Sequence, residues 1–144
     1  MANPLTNVLI RRAQAPDVER LEALDSQTEW DWKAVISAGK SFTYLAEDDA
    51  PFGFVTAGQG QVNGLFITPS HRGHGMGKKL LVRGLSILKL SGCPEAKVWL
   101  PADSPVVRLF EGLDFKLDGS ERLTNGHGVT QLDYGYALSL AEYF

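Results

Sequence analysis

One stretch of this chain constrains its fold more than any other. Leu65, Phe66 and Ile67 form a short apolar run of the kind a buried strand shows, and Pro69 ends it. Arg72, Gly73, His74, Gly75, Met76, Gly77 and Lys78 follow. Met76, Leu80, Leu81, Gly84, Leu85 and Leu88 then recur at helical spacing up to Gly92. The glycines therefore sit where a strand hands over to a long amphipathic helix. Glycine lets backbone N–H groups approach a ligand with no Cβ in the way. The first turn of a helix carries unsatisfied N–H groups and a partial positive charge. Together these predict an anion site suited to phosphate, and Arg72, Lys78 and Lys79 add formal charge there.

The rest of the chain supplies strands and helices in alternation. Residues 8–13 read as a first strand. Pro16 precedes a helix marked by Val18, Leu21 and Leu24. Residues 25–39 predict a second short helix around Trp30, Trp32, Val35 and Ile36, ended by Gly39. Phe42, Tyr44 and Ala46 alternate in a strand, Asp48, Asp49, Ala50 and Pro51 make a turn, and residues 52–57 return as the other arm of a hairpin. Val98, Trp99 and Leu100 form a further strand. Asp103, Ser104 and Pro105 read as the cap and first-turn proline of a helix with Val106, Leu109, Phe110 and Leu113 inside, and Asp103 and Ser104 secondarily as ligand contacts. A strand starts at Phe115, residues 125–128 turn, and Leu132, Tyr134, Tyr136, Leu138 and Leu140 alternate in a last strand. That strand either closes the sheet or pairs across a homodimer. The order predicts an α/β sheet with helices on both faces, in one domain over residues 1–144.

Composition narrows the function. No apolar run approaches the roughly 20 residues of a membrane span, and the N-terminus lacks the basic-then-apolar order of a secretory signal. Cys93 is the single cysteine, so neither an internal disulfide nor a cysteine zinc cage forms. His71 and His74 have no carboxylate near them in sequence, so no metal is expected and loop packing or phosphate contact is their reading. A cytoplasmic protein with no membrane role follows. A net charge of −3 argues against nucleic acid as a partner. The charge is divided: residues 17–49 hold nine acids and three bases, residues 71–97 six bases and one acid. The first half would draw a cation and the second an anion, unless both are solvated faces.

Two common phosphate loops fail. A Walker A loop would need glycine where Arg72 stands and Ser or Thr where Lys79 stands. A dinucleotide fingerprint would need glycine where Lys78 stands, at the first strand of the chain. What fits is Arg72-Gly73-His74-Gly75-Met76-Gly77, read as R-x-x-G-x-G. This segment resembles the acetyl-CoA loop of the GNAT superfamily of N-acetyltransferases. Leu65 to Pro69 before the loop resembles that family's splayed fourth strand, and the segment from Leu109 to Phe115 follows in family order. The opening Ile10, Arg11, Arg12 and Ala13 with Asp17 is similar to its first strand and helix. The resemblance spans residues 8–140 and is specific over residues 65–81. It implies a mixed, mostly antiparallel sheet of six to seven strands with helices on both faces.

The resemblance also implies roles. The backbone of Arg72, Gly73, His74, Gly75, Met76 and Gly77, with Lys78, would hold the pyrophosphate of acetyl-CoA, the co-substrate, and Asp103 takes the place of a cofactor-contacting asparagine. Phe66, Ile67 and Thr68 would offer strand amides to the pantetheine arm and to the thioester oxygen, where preorganised donors stabilise developing charge. Trp30, Asp31 and Trp32 lie where the family keeps acceptor specificity, and aromatic walls with a carboxylate suit a cationic amine, or else the tryptophans cover the core. The acid-rich half points the same way. Two departures stand out. The tyrosine that protonates the leaving thiolate is replaced by Phe110, which has no proton to give, and the glycine before the closing phenylalanine is Asp114. The fourth strand carries Gln61 and Asn63 in place of a glutamate base. Tyr134 is the candidate acid, with a core tyrosine as its other reading.

Three functions follow. The first is an N-acetyltransferase acting on a small-molecule or protein amine. The second, motivated by Phe110, is a non-catalytic acyl-CoA-binding or regulatory module. The third is a nucleotide-phosphate binder of another fold.

Overall fold

The computed structural model describes residues 8–25, 30–126 and 128–141. Strand β1 (Leu9–Arg12) leads through a 3-10 turn at Ala15–Asp17 into α1 (Val18–Leu24). Helix α2 (Trp32–Ala38) ends at Gly39, whose φ of 70° gives the left-handed terminus its sequence announced. The hairpin is β2 (Phe42–Glu47) and β3 (Pro51–Gly58), followed by β4 (Gln61–Ile67) and a 3-10 turn at Pro69–His71. Helix α3 (Met76–Leu90), β5 (Glu95–Pro101), α4 (Val107–Gly112), β6 (Lys116–Gly126) and β7 (Val129–Ser139) complete the order.

The seven strands form one sheet in the order β1-β2-β3-β4-β5-β7-β6. Every neighbouring pair is antiparallel except β4 and β5. The two sheet faces bury different clusters. Val55, Ala57, Leu80, Leu81, Leu85, Val98, Leu100 and Phe110 gather under α3 and α4. Leu21, Trp32, Leu45 and Phe54 gather under α1 and α2 on the other side. Alternation along β2 and β3 produces both, since Leu45 and Phe54 point one way and Ala46 and Val55 the other. Helix α3 lies close because Gly84 faces Val55, where an added Cβ would sit 3.2 Å from Val55 Cγ2.

Two local expectations are corrected. Helix α4 starts at Val107, and no side chain of Asp103 caps it; Ser104 Oγ instead accepts from the Val106 N–H at 3.4 Å. Residues 101–107 first make turns, with the Ser104 N–H on the Pro101 carbonyl and the Val107 N–H on the Ser104 carbonyl. The last strand does not sit at an edge: over residues 133–139 β7 pairs with β5 on one side and lies beside β6 on the other, so that stretch has no free side for a second subunit. The stretch from Lys116 is an 11-residue edge strand, interrupted by a bulge between Leu117 and Glu121. Such a bulge disrupts the row of edge N–H and C=O groups that would otherwise template pairing. Among the described residues, no helix is long and apolar enough to cross a membrane.

Candidate active site

The site begins with a defect in strand pairing. Strands β4 and β5 share one register pair, Gln61 with Lys97, beside a bond from the Lys97 N–H to the Gly60 carbonyl at 2.8 Å. Just beyond that pair, β4 changes register against β3: Thr56 faces Gly64, but Ala57 faces Val62, so Asn63 is an extra residue. A bulge of this kind bends its strand. From Asn63 onward β4 parts from β5, and the sheet opens into a fork.

The fork exposes a particular set of backbone groups. The Thr68 N–H donates to the Phe52 carbonyl at 2.8 Å, so residue 68 turns its main chain toward β3. In an antiparallel ladder this direction alternates. Phe66, opposite Phe54, therefore also spends its N–H and C=O on β3. Leu65 and Ile67 turn theirs into the fork. Of the three strand amides expected to meet a ligand, only that of Ile67 faces the gap; Phe66 and Thr68 are corrected, and Leu65 joins Ile67. The alternation that decides this needed the pairing partner, which one strand's sequence does not name. The Ile67 carbonyl accepts from Arg72 Nε at 2.9 Å, which ties the strand end to the loop behind it.

The glycine loop stands at the end of the fork. Gly73 and Gly75 have φ of 86° and 79°, the left-handed region that side chains disfavour. An added Cβ at either would touch nothing within 4 Å, so these glycines are required by backbone conformation and not by crowding. Gly75 is the N-cap of α3, and no side chain caps that terminus. The first-turn N–H groups of a 15-residue helix are thus left for a ligand. Met76 anchors the turn, 1% exposed in the core. Gly77 lets α4 approach, since an added Cβ would lie 3.3 Å from Leu109 Cδ2.

A cavity of about 620 Å³ joins the loop to the fork. Leu65, Phe66 and Ile67 wall it from β4, and Arg72, Gly73, Gly75, Met76 and Gly77 from the loop. Ser104, Pro105, Val106 and Leu109 close it, all four on the predicted α4 segment, with Ser104 among the contacts expected there. His71 also lines it. Its ring stacks on Phe52 at 4.1 Å, its Nε2 meets Asp48 Oδ2 at 2.8 Å, and its Nδ1 meets Thr68 Oγ1 at 2.9 Å. The His71 bond, with help from the Ala50 N–H, holds the Asp48 carboxyl below its usual range. His71 thus packs the loop onto the β2–β3 turn. The side chains of His74, Lys78 and Asp103 are exposed and outside the cavity lining.

The acceptor residues separate. Trp32 is 1% exposed, and its Nε1 donates to Asp25 Oδ2 at 2.9 Å, so it belongs to the core. Asp31 caps α2 by accepting from the Ala34 N–H at 3.2 Å. Trp30 remains half-exposed, edge-on to Trp32 at 5.3 Å. Two acids of the acid-rich half are already matched. Arg11 bridges Asp17 at 2.8 Å and Glu47 at 2.7 Å, and that guanidinium holds the Asp17 carboxyl at about 2. Phe110, 1% exposed, packs edge-on against Phe115 at 5.1 Å. Asp114 takes φ 73°, the conformation a glycine there would supply. Tyr134 lies half-buried between Leu100 and Glu121, outside the cavity lining. Among the described residues, no group of three His, Cys, Asp or Glu side chains is placed to hold a metal ion.

Residues 12–134 match the profile of the acetyltransferase (GNAT) domain. The chain belongs to the GNAT acetyltransferase family. A search of curated proteins by sequence finds no match to this GNAT chain. Its fold is similar to that of an N-acetyltransferase from Staphylococcus aureus Mu50, at 20% identity and TM-score 0.78, covering 94% of this chain and 99% of that one. It is also similar to a spermidine/spermine N-acetyltransferase from Vibrio cholerae, at 16% identity and TM-score 0.76, covering 96% and 95%. A Salmonella typhimurium protein solved with its cofactor acetyl-CoA matches at 18% identity and TM-score 0.74, covering 96% and 97%. The likenesses show the GNAT fold.

Proposed function

We propose that this acetyltransferase moves an acetyl group from acetyl-CoA to a primary amine by direct attack in a ternary complex. The observation that carries the reading is the continuity of one cavity from the uncapped N-terminus of α3 to the inward-facing amides of the fork. The two ends ask for different chemistry. The loop offers N–H donors in left-handed glycine turns, with Lys78 and Lys79 exposed on the same helical turn, and so suits a pyrophosphate. The fork offers a free strand edge between apolar walls, and so suits an extended arm that carries amides of its own.

The chemistry follows from that seating. A deprotonated amine attacks the thioester carbonyl carbon, and the oxygen gains negative charge. The Ile67 N–H faces the fork between Phe66 and Thr68, which bond to β3, and beside the Ile67 carbonyl held by Arg72; it is the donor we assign to that oxygen. The carbon–sulfur bond then breaks, and the thiolate departs with the electron pair. Phe110 supplies no proton, and Tyr134 lies outside the cavity lining, so the thiolate, of modest basicity, leaves with little help. Holding both reactants in one cleft provides much of the rate.

A second reading, acyl-CoA binding without catalysis, draws on the burial of Phe110 at the position of the family's acid. One experiment separates them. Purified protein is mixed with acetyl-CoA and a broad amine panel, and free CoA thiol is followed with a chromogenic disulfide. Amine-dependent thiol release supports transfer. Tight acetyl-CoA binding with no release from any amine overturns it in favour of the binding module.

A further inference from the structure

The sulfur that leaves in the proposed transfer takes on charge between apolar walls. Leu65, Met76, Val106 and Leu109 line the same cavity as the fork. A thiolate leaves with little help, but charge set among apolar groups still costs free energy unless a donor meets it.

Among the described residues that line the cavity, three carry a side-chain N–H or O–H: His71, Arg72 and Ser104. Both nitrogens of His71 are engaged, Nε2 with Asp48 and Nδ1 with Thr68 Oγ1 at 2.9 Å and Ser70 Oγ at 3.0 Å. Arg72 gives its Nε–H to the Ile67 carbonyl, so it stands on the β4 side. Ser104 differs from both. Its Oγ accepts from the Val106 N–H at 3.4 Å, which uses a lone pair and keeps the hydroxyl proton. Among the described residues, no group accepts that proton.

The place of Ser104 suits a donor to sulfur. Strands β4 and β5 run parallel, so both leave the fork at the same end. Ile67 is the last residue of β4. Ser104 follows β5 by three residues, and its N–H returns to the Pro101 carbonyl at 3.0 Å, which holds it against the end of that strand. The two residues therefore stand on opposite prongs at one end of the fork. Oxygen and sulfur diverge from a thioester carbon. An oxygen turned to the Ile67 N–H leaves the sulfur toward the other prong.

We propose that the Ser104 hydroxyl donates a hydrogen bond to the departing sulfur of CoA. The proposal rests on the acetyl-transfer reading above and adds a catalytic residue to it. As the carbon–sulfur bond breaks, its electron pair goes to sulfur, and the Ser104 O–H meets the thiolate. The proton stays on Ser104, because an alkoxide is far more basic than a thiolate. The acceptor nitrogen gives its surplus proton to water, and CoA takes a proton from water after release.

Two measurements test this on the parent, Ser104→Ala and Ser104→Thr. The first is calorimetric binding of CoA and of acetyl-CoA at about pH 7 and about pH 9.5, either side of the thiol's ordinary ionisation. Acetyl-CoA has no thiol and controls for every other titration. From low to high pH, the preference for CoA over acetyl-CoA should rise about tenfold more in the parent than in Ser104→Ala. The second is single-turnover thiol release, with the fastest acceptor among n-butylamine, phenethylamine, spermidine and glycine amide. Ser104→Ala should slow it about tenfold while the acetyl-CoA Kd stays within about twofold, and Ser104→Thr, which keeps the hydroxyl, should restore it. An alanine variant that matches the parent in both measurements overturns the proposal. So does one that loses acetyl-CoA affinity and rate together, since that marks a turn-forming role alone. If the parent binds acetyl-CoA but transfers to no amine, the transfer reading falls and this proposal falls with it. If the parent transfers and the alanine variant does so equally well, the assignment of Ser104 alone is wrong.

Discussion

Replacing Gly75 by alanine separates the cost of the loop's shape from the use of that shape. Gly75 caps α3 at φ 79°, and an added Cβ meets no atom within 4 Å. The steric cost against the rest of the protein is therefore nil, and only the residue's own backbone preference is at stake. A left-handed conformation costs a non-glycine residue about 1–2 kcal/mol. If the loop keeps its form, the chain loses that amount, or about 3–6 °C in its unfolding midpoint at this size. If the loop relaxes to negative φ, stability is spared but the first-turn amides turn away from the cavity. Losing one hydrogen bond to a charged phosphate costs about 1.5–3 kcal/mol, roughly ten- to a hundredfold in Kd. Asparagine tolerates the left-handed region better, so Gly75→Asn should lose less on both counts. The assay is thermal unfolding plus calorimetric titration with acetyl-CoA for all three proteins. An alanine variant that matches the parent in both would refute the claim that this turn presents the anion site.

Three further outcomes follow from the packing. Asp17 is held at about 2 by Arg11 against an ordinary 3.8, so its contribution is complete above about pH 4 and fades as pH falls through about 2. Asp17→Asn should therefore cost about 2 kcal/mol at neutral pH, a gap from the parent that shrinks in urea melts near pH 2; a pH-independent gap would contradict the ion-pair account. Gly84→Leu should destabilise by about 1–3 kcal/mol through overpacking against Val55, measured by urea unfolding, and a neutral result would show that α3 has room to shift. Phe110→Tyr should cost about 1–3 kcal/mol by burying a hydroxyl beside Phe115 and leave turnover unimproved; faster turnover would show that a phenol at that position limits the reaction.

The sequence carried the site's frame further than its details. The strand, the glycine turn and the α3 stripe were legible because each depends on local periodicity and on glycine's access to positive φ, as Gly73 and Gly75 show. The fork was not, because it arises from a bulge at Asn63 that exists only relative to β3. The same holds for which amides face the gap. Leu65 and Phe66 are equally apolar as letters and differ only by the partner each turns toward. Asp31 and Trp32 looked like an acceptor site because charge beside aromatic rings suits a cation; a helix start and an indole N–H had prior claims on both carboxylates in that turn, Asp31 and Asp25. Pro105 moved the α4 start because turns at residues 101–107 precede the first helical bonds. Asp114 kept the backbone of the glycine it replaces, which no local signal in the sequence announced.

The central claim is that one ligand spans the glycine loop and the fork. The direct measurement compares thermal unfolding with acetyl-CoA and with adenosine 3′-phosphate 5′-diphosphate, the same nucleotide without its pantetheine arm. At one hundred times its Kd, acetyl-CoA should add about 2.7 kcal/mol, roughly 5–10 °C at this size. The armless nucleotide at the same concentration should give a clearly smaller shift, since it reaches the α3 amides and leaves Leu65 and Ile67 untouched. Equal shifts would mean that the fork binds nothing, and no shift with either would mean that the loop does not hold this phosphate at all.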